Sequence, residues 1–235
     1  MKKKETYKDL DLTIVTPSTW MKKCAEESSL LGDKRIVCIP NSIDINEFKV
    51  LDKKKARKSL GLSQDKKYLL FGAMSATRDK NKGFDLLIEA LEHLKEEDIE
   101  LLVFGNDEWN EPELSLPVKY FGRIRNNKLL NQVYSAADVT VIPSRSENFP
   151  NTVLESFACG TPCVSFDIGG FPDMIDHRVN GYLADPYNTK DLAKGIQYCL
   201  KKEGMGIKGR EKVMREYSLE VQAKRCVEFY EGLVD

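Results

Sequence analysis

The chain has 235 residues, which corresponds to one or two domains and is long enough to bury a core without disulfides. Its 36 Lys and Arg residues balance 37 Asp and Glu residues, and the resulting net charge of -1 is not that of a basic nucleic-acid-binding protein. No apolar run approaches the roughly 18 residues of a membrane-spanning helix, and no apolar signal segment follows the N-terminal lysines. We therefore expect a cytoplasmic protein with no nucleic-acid partner.

The six cysteines are expected to be reduced thiols, because no secretion signal precedes them. Cys159 and Cys163 are close enough in sequence to suggest a metal-binding pair. The two histidines, His93 and His177, lie far from them in the sequence, so the remaining ligands of a zinc site are missing. We expect no metal site.

Short apolar runs alternate with longer segments of helical period, which predicts a parallel α/β sheet covered by helices on both faces. The predicted strands, in chain order, are 12–15, 36–39, 68–71, 101–104, 118–121, 139–142 and 163–166. The predicted helices are 83–95, 128–137, 152–158, 191–202, 207–216 and 219–233. The last three helices follow a turn predicted at Asn180-Gly181 and close the fold.

A strongly charged segment divides the chain into two parts. Residues 52–67 read DKKKARKSLGLSQDKK, the composition of a solvated helix and loop. We place a domain boundary there, with residues 1–50 as a small separate unit and residues 51–235 as the main α/β domain.

The loop after the third predicted strand has the composition of an anion-binding turn. Gly72 permits close backbone approach, and Arg78, Lys80 and Lys82 supply cations before the helix that begins at Gly83. The sequence lacks both the dinucleotide-binding fingerprint and the P-loop motif. The alternative, a solvated loop with three ordinary surface cations, stays open.

Two glutamates follow the sixth predicted strand. Glu147 lies in the loop, and Glu155 lies eight positions later inside the next helix. Because carboxylates accept hydrogen bonds from hydroxyls, sugar and ribose diols are natural partners for this pair. The alternative, a surface loop glutamate and an exposed helix glutamate, stays open as well.

The same helix begins in the loop that carries Glu147. Pro150 suits a first helical turn, and Asn148 is a candidate N-cap. The amides around Asn151 and Thr152 would then face the carboxyl ends of the strands, where a helix N-terminus attracts a diphosphate.

Glycines end three further strands. Gly105 and Gly122 would leave room for a flat ring beside the backbone, and the Gly169-Gly170 pair lets the chain turn or pass close to a ligand. Each signal is weak alone, but ligands of open parallel sheets bind outside the carboxyl ends of the strands, where all of these loops meet. Their convergence predicts a site for a nucleotide diphosphate.

Several segments together resemble one enzyme family. They are VTPSTWMKK, IPNSIDINEF, FGA with NKGFDLLIEAL, YFGRI, PSRSENFPNTVLESFACGTPCV, and IGGFPDMI with NGYLADP. They resemble the C-terminal, donor-binding domain of retaining GT-B glycosyltransferases of the family-four, group 1 type, which includes many bacterial polysaccharide enzymes. The resemblance implies a Rossmann-like, doubly wound parallel sheet that forms the C-terminal half of a GT-B fold.

The resemblance also implies roles for individual residues. Lys82 and Glu147 would be catalytic, with Lys82 on the donor pyrophosphate and Glu147 beside the transferred sugar, while Glu155 would accept hydrogen bonds from the ribose hydroxyls. The other donor-binding positions that it implies are Gly72, Ala73, Arg78, Gly122, the backbone of Arg123 and Ile124 at the base, and the backbone of Asn148, Phe149, Pro150, Asn151 and Thr152.

The sequence departs from the family's pattern at three positions. Ala73 stands where the family has an arginine paired with the lysine, and Arg78 is the candidate replacement. Asn148 and Pro150 replace glycines of the E-x7-E loop. We interpret the chain as a variant subgroup with a preserved reaction.

The resemblance covers the donor half of a two-domain enzyme, with residues 1–50 as a remnant of the N-terminal acceptor domain. We expect a UDP-sugar or GDP-sugar donor, no metal cofactor, a glycan or lipid-linked acceptor, and little or no transfer by this chain alone. Lys2 to Lys4 either lie in solvent or contact the inner face of an anionic membrane.

Two other functions remain open from the sequence. One is a sugar-nucleotide epimerase on the same fold, which would bind the nucleotide without glycosylating an acceptor. The other is a non-catalytic nucleotide-binding module, whose affinity would not change on Glu147→Ala or Glu155→Ala.

Overall fold

A computed structural model of the chain describes residues 2–72, 79–95, 98–105 and 114–234. Eight strands lie in these ranges: β1 Thr13–Thr16, β2 Arg35–Cys38, β3 Lys67–Gly72, β4 Ile99–Phe104, β5 Val118–Tyr120, β6 Val139–Ile142, β7 Cys163–Phe166 and β8 Gly181–Ala184. The helices are α1 Lys2–Lys8, α2 Thr19–Glu26, α3 Lys53–Ser59, α4 Phe84–Glu92, α5 Asn127–Ala136, α6 Asn151–Ala158, α7 Phe171–Met174, α8 Thr189–Lys201, α9 Met205–Glu216 and α10 Leu219–Val234. A 3-10 turn at Lys80–Lys82 precedes α4.

The main sheet is fully parallel, with six strands in the order β5-β4-β3-β6-β7-β8. The chain builds outward from β3 to β4 and β5, then returns to β6 on the other side of β3 and builds outward again. The strand order therefore reverses between β3 and β6, which is the topological switch point where doubly wound sheets bind ligands. The Rossmann-like, doubly wound fold expected from the sequence is confirmed.

Helices cover both faces of this sheet, as the apolar strands predict. Alternate strand residues point to opposite faces. On one face Leu70 and Leu102 pack with side chains of α5, α6 and α9. On the other face Leu69 and Leu101 pack with side chains of α4 and α8. The loops at the strand ends, between the two helical layers, form the candidate site.

Residues 1–50 hold a second, smaller sheet in which β1 and β2 pair in parallel. The C-terminal helix α10 packs back on this unit. Its Gln222 accepts a hydrogen bond from the Ser42 hydroxyl and donates to the Pro40 carbonyl, and the Arg35 guanidinium lies over the Phe229 ring at 5.8 Å. The small unit and the end of the chain thus stabilise each other.

Two predictions about the fold were wrong in part. Residues 181–184 were expected to lie among turns and helices, but they form the edge strand β8; the turn predicted there ends at the buried Asn180. Four residues that start with glycine carry too little periodicity to identify a strand. The charged segment 52–67 is also not wholly solvated, because Arg57 is buried and pairs with Asp138 at 2.8 Å.

Candidate functional site

Residues 79–83, the described part of the loop after β3, form a turn held by short-range hydrogen bonds. The Asp79 carboxylate accepts from the amide of Asn81 at 2.9 Å, and the amide of Lys82 donates to the Asp79 carbonyl at 2.9 Å. Gly83 ends the turn in the left-handed region, with φ of 69°. A Cβ at Gly83 would lie 1.9 Å from the Pro143 carbonyl oxygen, so glycine is needed for both its conformation and its small size.

This turn lies directly against the loop that follows β6. The ammonium of Lys82 is 2.7 Å from a carboxylate oxygen of Glu147, which also accepts from the Ser144 hydroxyl at 3.1 Å. The side chains of Lys82 and Glu147 are 26% and 15% exposed. The expected meeting of the two loops at one edge of the sheet is therefore present, and it lies at the switch point between β3 and β6.

Helix α6 begins one residue after Pro150 and has no side-chain cap. The prediction that Asn148 caps it is wrong: the Asn148 amide oxygen instead accepts a hydrogen bond from the buried Ser18 hydroxyl at 2.5 Å. Pro150 also lies just before the helix rather than in its first turn. Since the first amides of a helix have no intrahelical acceptor, the amides of Asn151 and Thr152 are available to an anion at this end.

Glu155 lies one turn into α6 and is half-buried. Burial raises the pKa of its carboxyl group, and the hydrogen bond that it accepts from the Tyr134 hydroxyl at 2.7 Å opposes that rise. Burial is also the main cause that raises the pKa of Tyr134, so its phenol stays protonated and donates. The structure thus rejects the alternative of an ordinary exposed glutamate at this position.

Three of the expected glycines make close contacts within the protein. A Cβ at Gly72 would lie 2.0 Å from the Phe104 ring, so Gly72 makes room for that side chain. A Cβ at Gly169 would lie 2.1 Å from the Glu147 carbonyl oxygen, and one at Gly170 would lie 1.6 Å from the carbonyl oxygen of Asn148. The Gly169-Gly170 pair therefore lets two loops of the site pack closely.

The loop expected at the base lies at the same edge, two strands away from β3. Gly122 has φ of 66°, and its carbonyl accepts from the amide of Gly105 at 2.9 Å. Arg123 is exposed, and Ile124 packs against the apolar layer. Phe149 is likewise buried, in an edge-to-face contact with Tyr217, so only its backbone is available to a donor. Ala73 and Arg78 lie outside the described residues.

Sequence reasoning missed three residues that shape the site. They are Ser18, which holds Asn148; Tyr134, which donates to Glu155; and Arg145, which contacts the turn that carries Lys82. Ser18 and Tyr134 contact residues 130 and 21 positions away, and nothing in the sequence indicates either pairing. Only Arg145, two positions before Glu147, was adjacent to a residue of interest.

Charged groups in the described ranges form no metal centre: nowhere in them do three or more His, Cys, Asp or Glu side chains cluster as ligands. Over the same ranges, every helix is too short or too polar to cross a bilayer.

The sequence profile of a family described as "Glycosyl transferases group 1" matches residues 52–220. Two curated relatives are an uncharacterized glycosyltransferase of Methanocaldococcus jannaschii, 28% identical over 96% of this chain and 60% of the relative, and a D-inositol 3-phosphate glycosyltransferase of Mycobacteroides abscessus, 31% identical over 73% of this chain and 40% of the relative. The chain spans about half the length of the curated relatives it matches.

Solved structures show the same fold. A glycosyltransferase from Rickettsia africae ESF-5 superposes with a TM-score of 0.84 at 21% identity, covering 100% of this chain and 67% of that one. Anabaena HepE in complex with UDP-glucose superposes with a TM-score of 0.78 at 21% identity, covering 97% of this chain and 66% of that one.

Proposed function

Because the chain belongs to the glycosyl transferases group 1 family, we propose that it is the donor-binding part of a hexosyltransferase. The donor is a UDP-sugar or GDP-sugar, and the sugar passes to a glycan or lipid-linked acceptor with retention of configuration at the anomeric carbon. The observation that carries the proposal is the Lys82–Glu147 pair at the switch point, beside the uncapped start of α6. The complex of HepE with UDP-glucose supports a nucleotide-sugar donor.

In this proposal each part of the donor contacts a different group of the protein. The diphosphate lies between the Lys82 ammonium and the amides of Asn151 and Thr152, where both the cation and the helix dipole favour negative charge. Glu155 accepts hydrogen bonds from the ribose hydroxyls, and Glu147 accepts from a hydroxyl of the transferred sugar. The backbone near Arg123 contacts the base.

The chemistry that the site supplies is stabilisation of the leaving group. When the bond between the anomeric carbon and the phosphate oxygen breaks, its electron pair stays on the nucleoside diphosphate. Lys82 exchanges its contact with Glu147 for the phosphate and stabilises this charge, while Glu147 becomes free to accept from the sugar. Because Lys82 and the helix amides meet the phosphate charge, we expect no metal requirement.

We assign the acceptor to a domain beyond residues 51–235. The separate sheet of β1 and β2 supports the interpretation of residues 1–50 as the end of that domain. The start of the profile match at residue 52 agrees with the proposed boundary.

The proposal is tested by thermal unfolding of the chain with nucleoside diphosphates and their sugars. A ligand at about 100 times its Kd adds roughly 2.7 kcal/mol of stability, or about 5 to 11 °C in Tm for a protein of this size. Product analysis with labelled donor then tests for epimerisation, because this chain alone is expected to transfer little or no sugar. Absence of any nucleotide-dependent shift would reject the proposal.

Lys82→Ala should weaken binding of the nucleoside diphosphate by roughly 10- to 150-fold, because a charge-assisted hydrogen bond contributes about 1.5 to 3 kcal/mol. Lys66→Ala is the matched control, since Lys66 forms a comparable half-buried ion pair with Glu100 at the opposite end of β3. The control should retain full affinity. Equal losses in both variants would show that the effect of Lys82→Ala is general rather than local.

A further inference from the structure

Arg145 joins the two loops of the candidate site by contacts from both its backbone and its side chain. Its backbone amide donates to the Asn81 carbonyl at 2.7 Å, and its guanidinium donates to the Lys80 carbonyl at 2.7 Å. The guanidinium also forms a bidentate ion pair with Asp85 in the first turn of α4, at 2.8 and 2.6 Å. One residue of the Glu147 loop thus binds the turn that carries Lys82 at its start, its middle and the helix that follows it.

The guanidinium is occupied by these partners rather than directed to a ligand. The carboxylate of Asp85 engages both terminal nitrogens, and its pKa is lowered chiefly by hydrogen bonding to Arg145. On the other side, the Tyr187 hydroxyl donates to the Arg145 carbonyl at 3.0 Å and connects the loop to the segment between β8 and α8. These contacts fix the position of Arg145 beside the site.

The position of the Lys82 ammonium depends on these contacts of Arg145. The lysine side chain has a flexible four-carbon stem, so its ammonium is placed only as well as the backbone that carries it. The turn has three residues, and its own hydrogen bonds are local. The contacts from Arg145 connect this turn to the loop that follows β6. Glu147 lies in that loop, two residues after Arg145.

We propose that Arg145, with Asp85, is a positioning pair that fixes the Lys82 turn for the donor diphosphate without contacting the donor. The proposal rests on the proposed function in naming the diphosphate as the ligand. The positioning itself is a property of the free protein. It assigns to Arg145 an effect on ligand affinity that passes through Lys82.

A double-mutant cycle tests the path of this effect, with a nucleoside diphosphate and the matching nucleoside as probes. Arg145→Ala should weaken diphosphate binding by about 5- to 30-fold and leave nucleoside binding unchanged. In the Lys82→Ala background the same change should cost less than about twofold. Arg145→Lys keeps the charge but not the bidentate geometry and should give an intermediate loss.

Arg215→Ala is the control for loss of an Arg–carboxylate pair, because Arg215 pairs with Glu216 in α9. It should change neither affinity. Equal losses for Arg145→Ala in both backgrounds would overturn the proposal, since they would show that the effect of Arg145 does not pass through Lys82. No loss in the wild-type background would overturn it as well.

Hydrogen exchange of the ligand-free protein provides a test that does not depend on the proposed function. The amides of Lys82 and Gly83 donate to the carbonyls of Asp79 and Lys80. In Arg145→Ala they should exchange at least about tenfold faster, while amides of β3 keep their wild-type rates. Unchanged exchange would overturn the proposal even if nucleotides bind. Faster exchange without nucleotide binding would support the positioning pair and reject the proposed function.

Discussion

The carboxyl group of Glu155 belongs to a half-buried side chain and accepts a hydrogen bond from the Tyr134 hydroxyl. Because burial raises its pKa, the folded protein favours the protonated form more than the unfolded chain does. The ionised carboxylate that we assign to the ribose hydroxyls is therefore held at a cost in stability. In this assignment the ionised carboxylate of Glu155 favours ligand binding but lowers the stability of the fold.

Glu155→Gln should separate the effect on stability from the effect on ligand binding. The amide oxygen can still accept from Tyr134, but the buried charge is gone, so we expect stability at pH 7 to rise by about 1 kcal/mol, or roughly 2 to 4 °C in Tm. Nucleotide affinity should fall about tenfold, because a neutral acceptor replaces a charged one. Thermal unfolding and calorimetric titration measure the two effects. A variant that loses stability while keeping its affinity would contradict this account.

The same substitution predicts a pH dependence. With a folded pKa above the unfolded value, the carboxyl group destabilises the wild type increasingly as pH rises from the ordinary range of a glutamate through the raised pKa. The advantage of Glu155→Gln should therefore be largest above that pKa and disappear at lower pH. Unfolding midpoints of both proteins across a pH series measure this. An advantage that grows on acidification would give the pKa shift the wrong sign.

Among the elements, the start of α4 depends on a glycine that meets two requirements at once. Gly83 has φ of 69°, and a Cβ would meet the Pro143 carbonyl oxygen. Gly204 begins α9 with φ of 81° and open space around it. Gly204→Ala should therefore cost only the left-handed strain of about 1 to 2 kcal/mol, and Gly83→Ala about 3 kcal/mol or more. Chemical denaturation measures both, and equal costs would remove the argument for close packing.

Helix α3 is attached to the sheet through Arg57. Its guanidinium pairs with Asp138 and donates to the carbonyls of Ala136 and Gln64, while Lys53 pairs with Asp138 from the surface at 3.0 Å. Arg57→Ala leaves a mostly buried carboxylate without its main partner and should cost about 3 to 5 kcal/mol. Lys53→Ala removes an exposed partner of the same carboxylate and should cost at most about 1 kcal/mol. Similar denaturation midpoints for the two variants would contradict the difference in burial.

The elements show what the sequence could and could not predict. The four residues of Val139–Ile142 are all β-branched and are followed by Pro143, so their pattern was sufficient to identify the strand. The edge strand Gly181–Ala184 was missed because its place is fixed by pairing with Cys163–Phe166, a tertiary contact that leaves little trace in four residues. Asn148 looked like an N-cap by local chemistry, but the distant Ser18 hydroxyl takes its side chain.

For the whole molecule, the topology is what brings the site together. Lys82 and Glu147 are 65 positions apart in the chain, yet β3 and β6 are neighbours because the strand order reverses between them. The sequence predicted the edge of the sheet, since loops after parallel strands share it. It could not predict the pairing of the two side chains or the role of Arg145, because both depend on which strands are adjacent.

The proposed function requires that a donor diphosphate binds at this switch point. A crystal structure of the chain with the nucleoside diphosphate that stabilises it most provides the direct measurement. We predict phosphate oxygens at about 2.7 to 2.9 Å from the Lys82 ammonium and beside the amides of Asn151 and Thr152, with Glu147 released from Lys82. A diphosphate bound elsewhere, or a Lys82–Glu147 pair left intact beside it, would contradict the account.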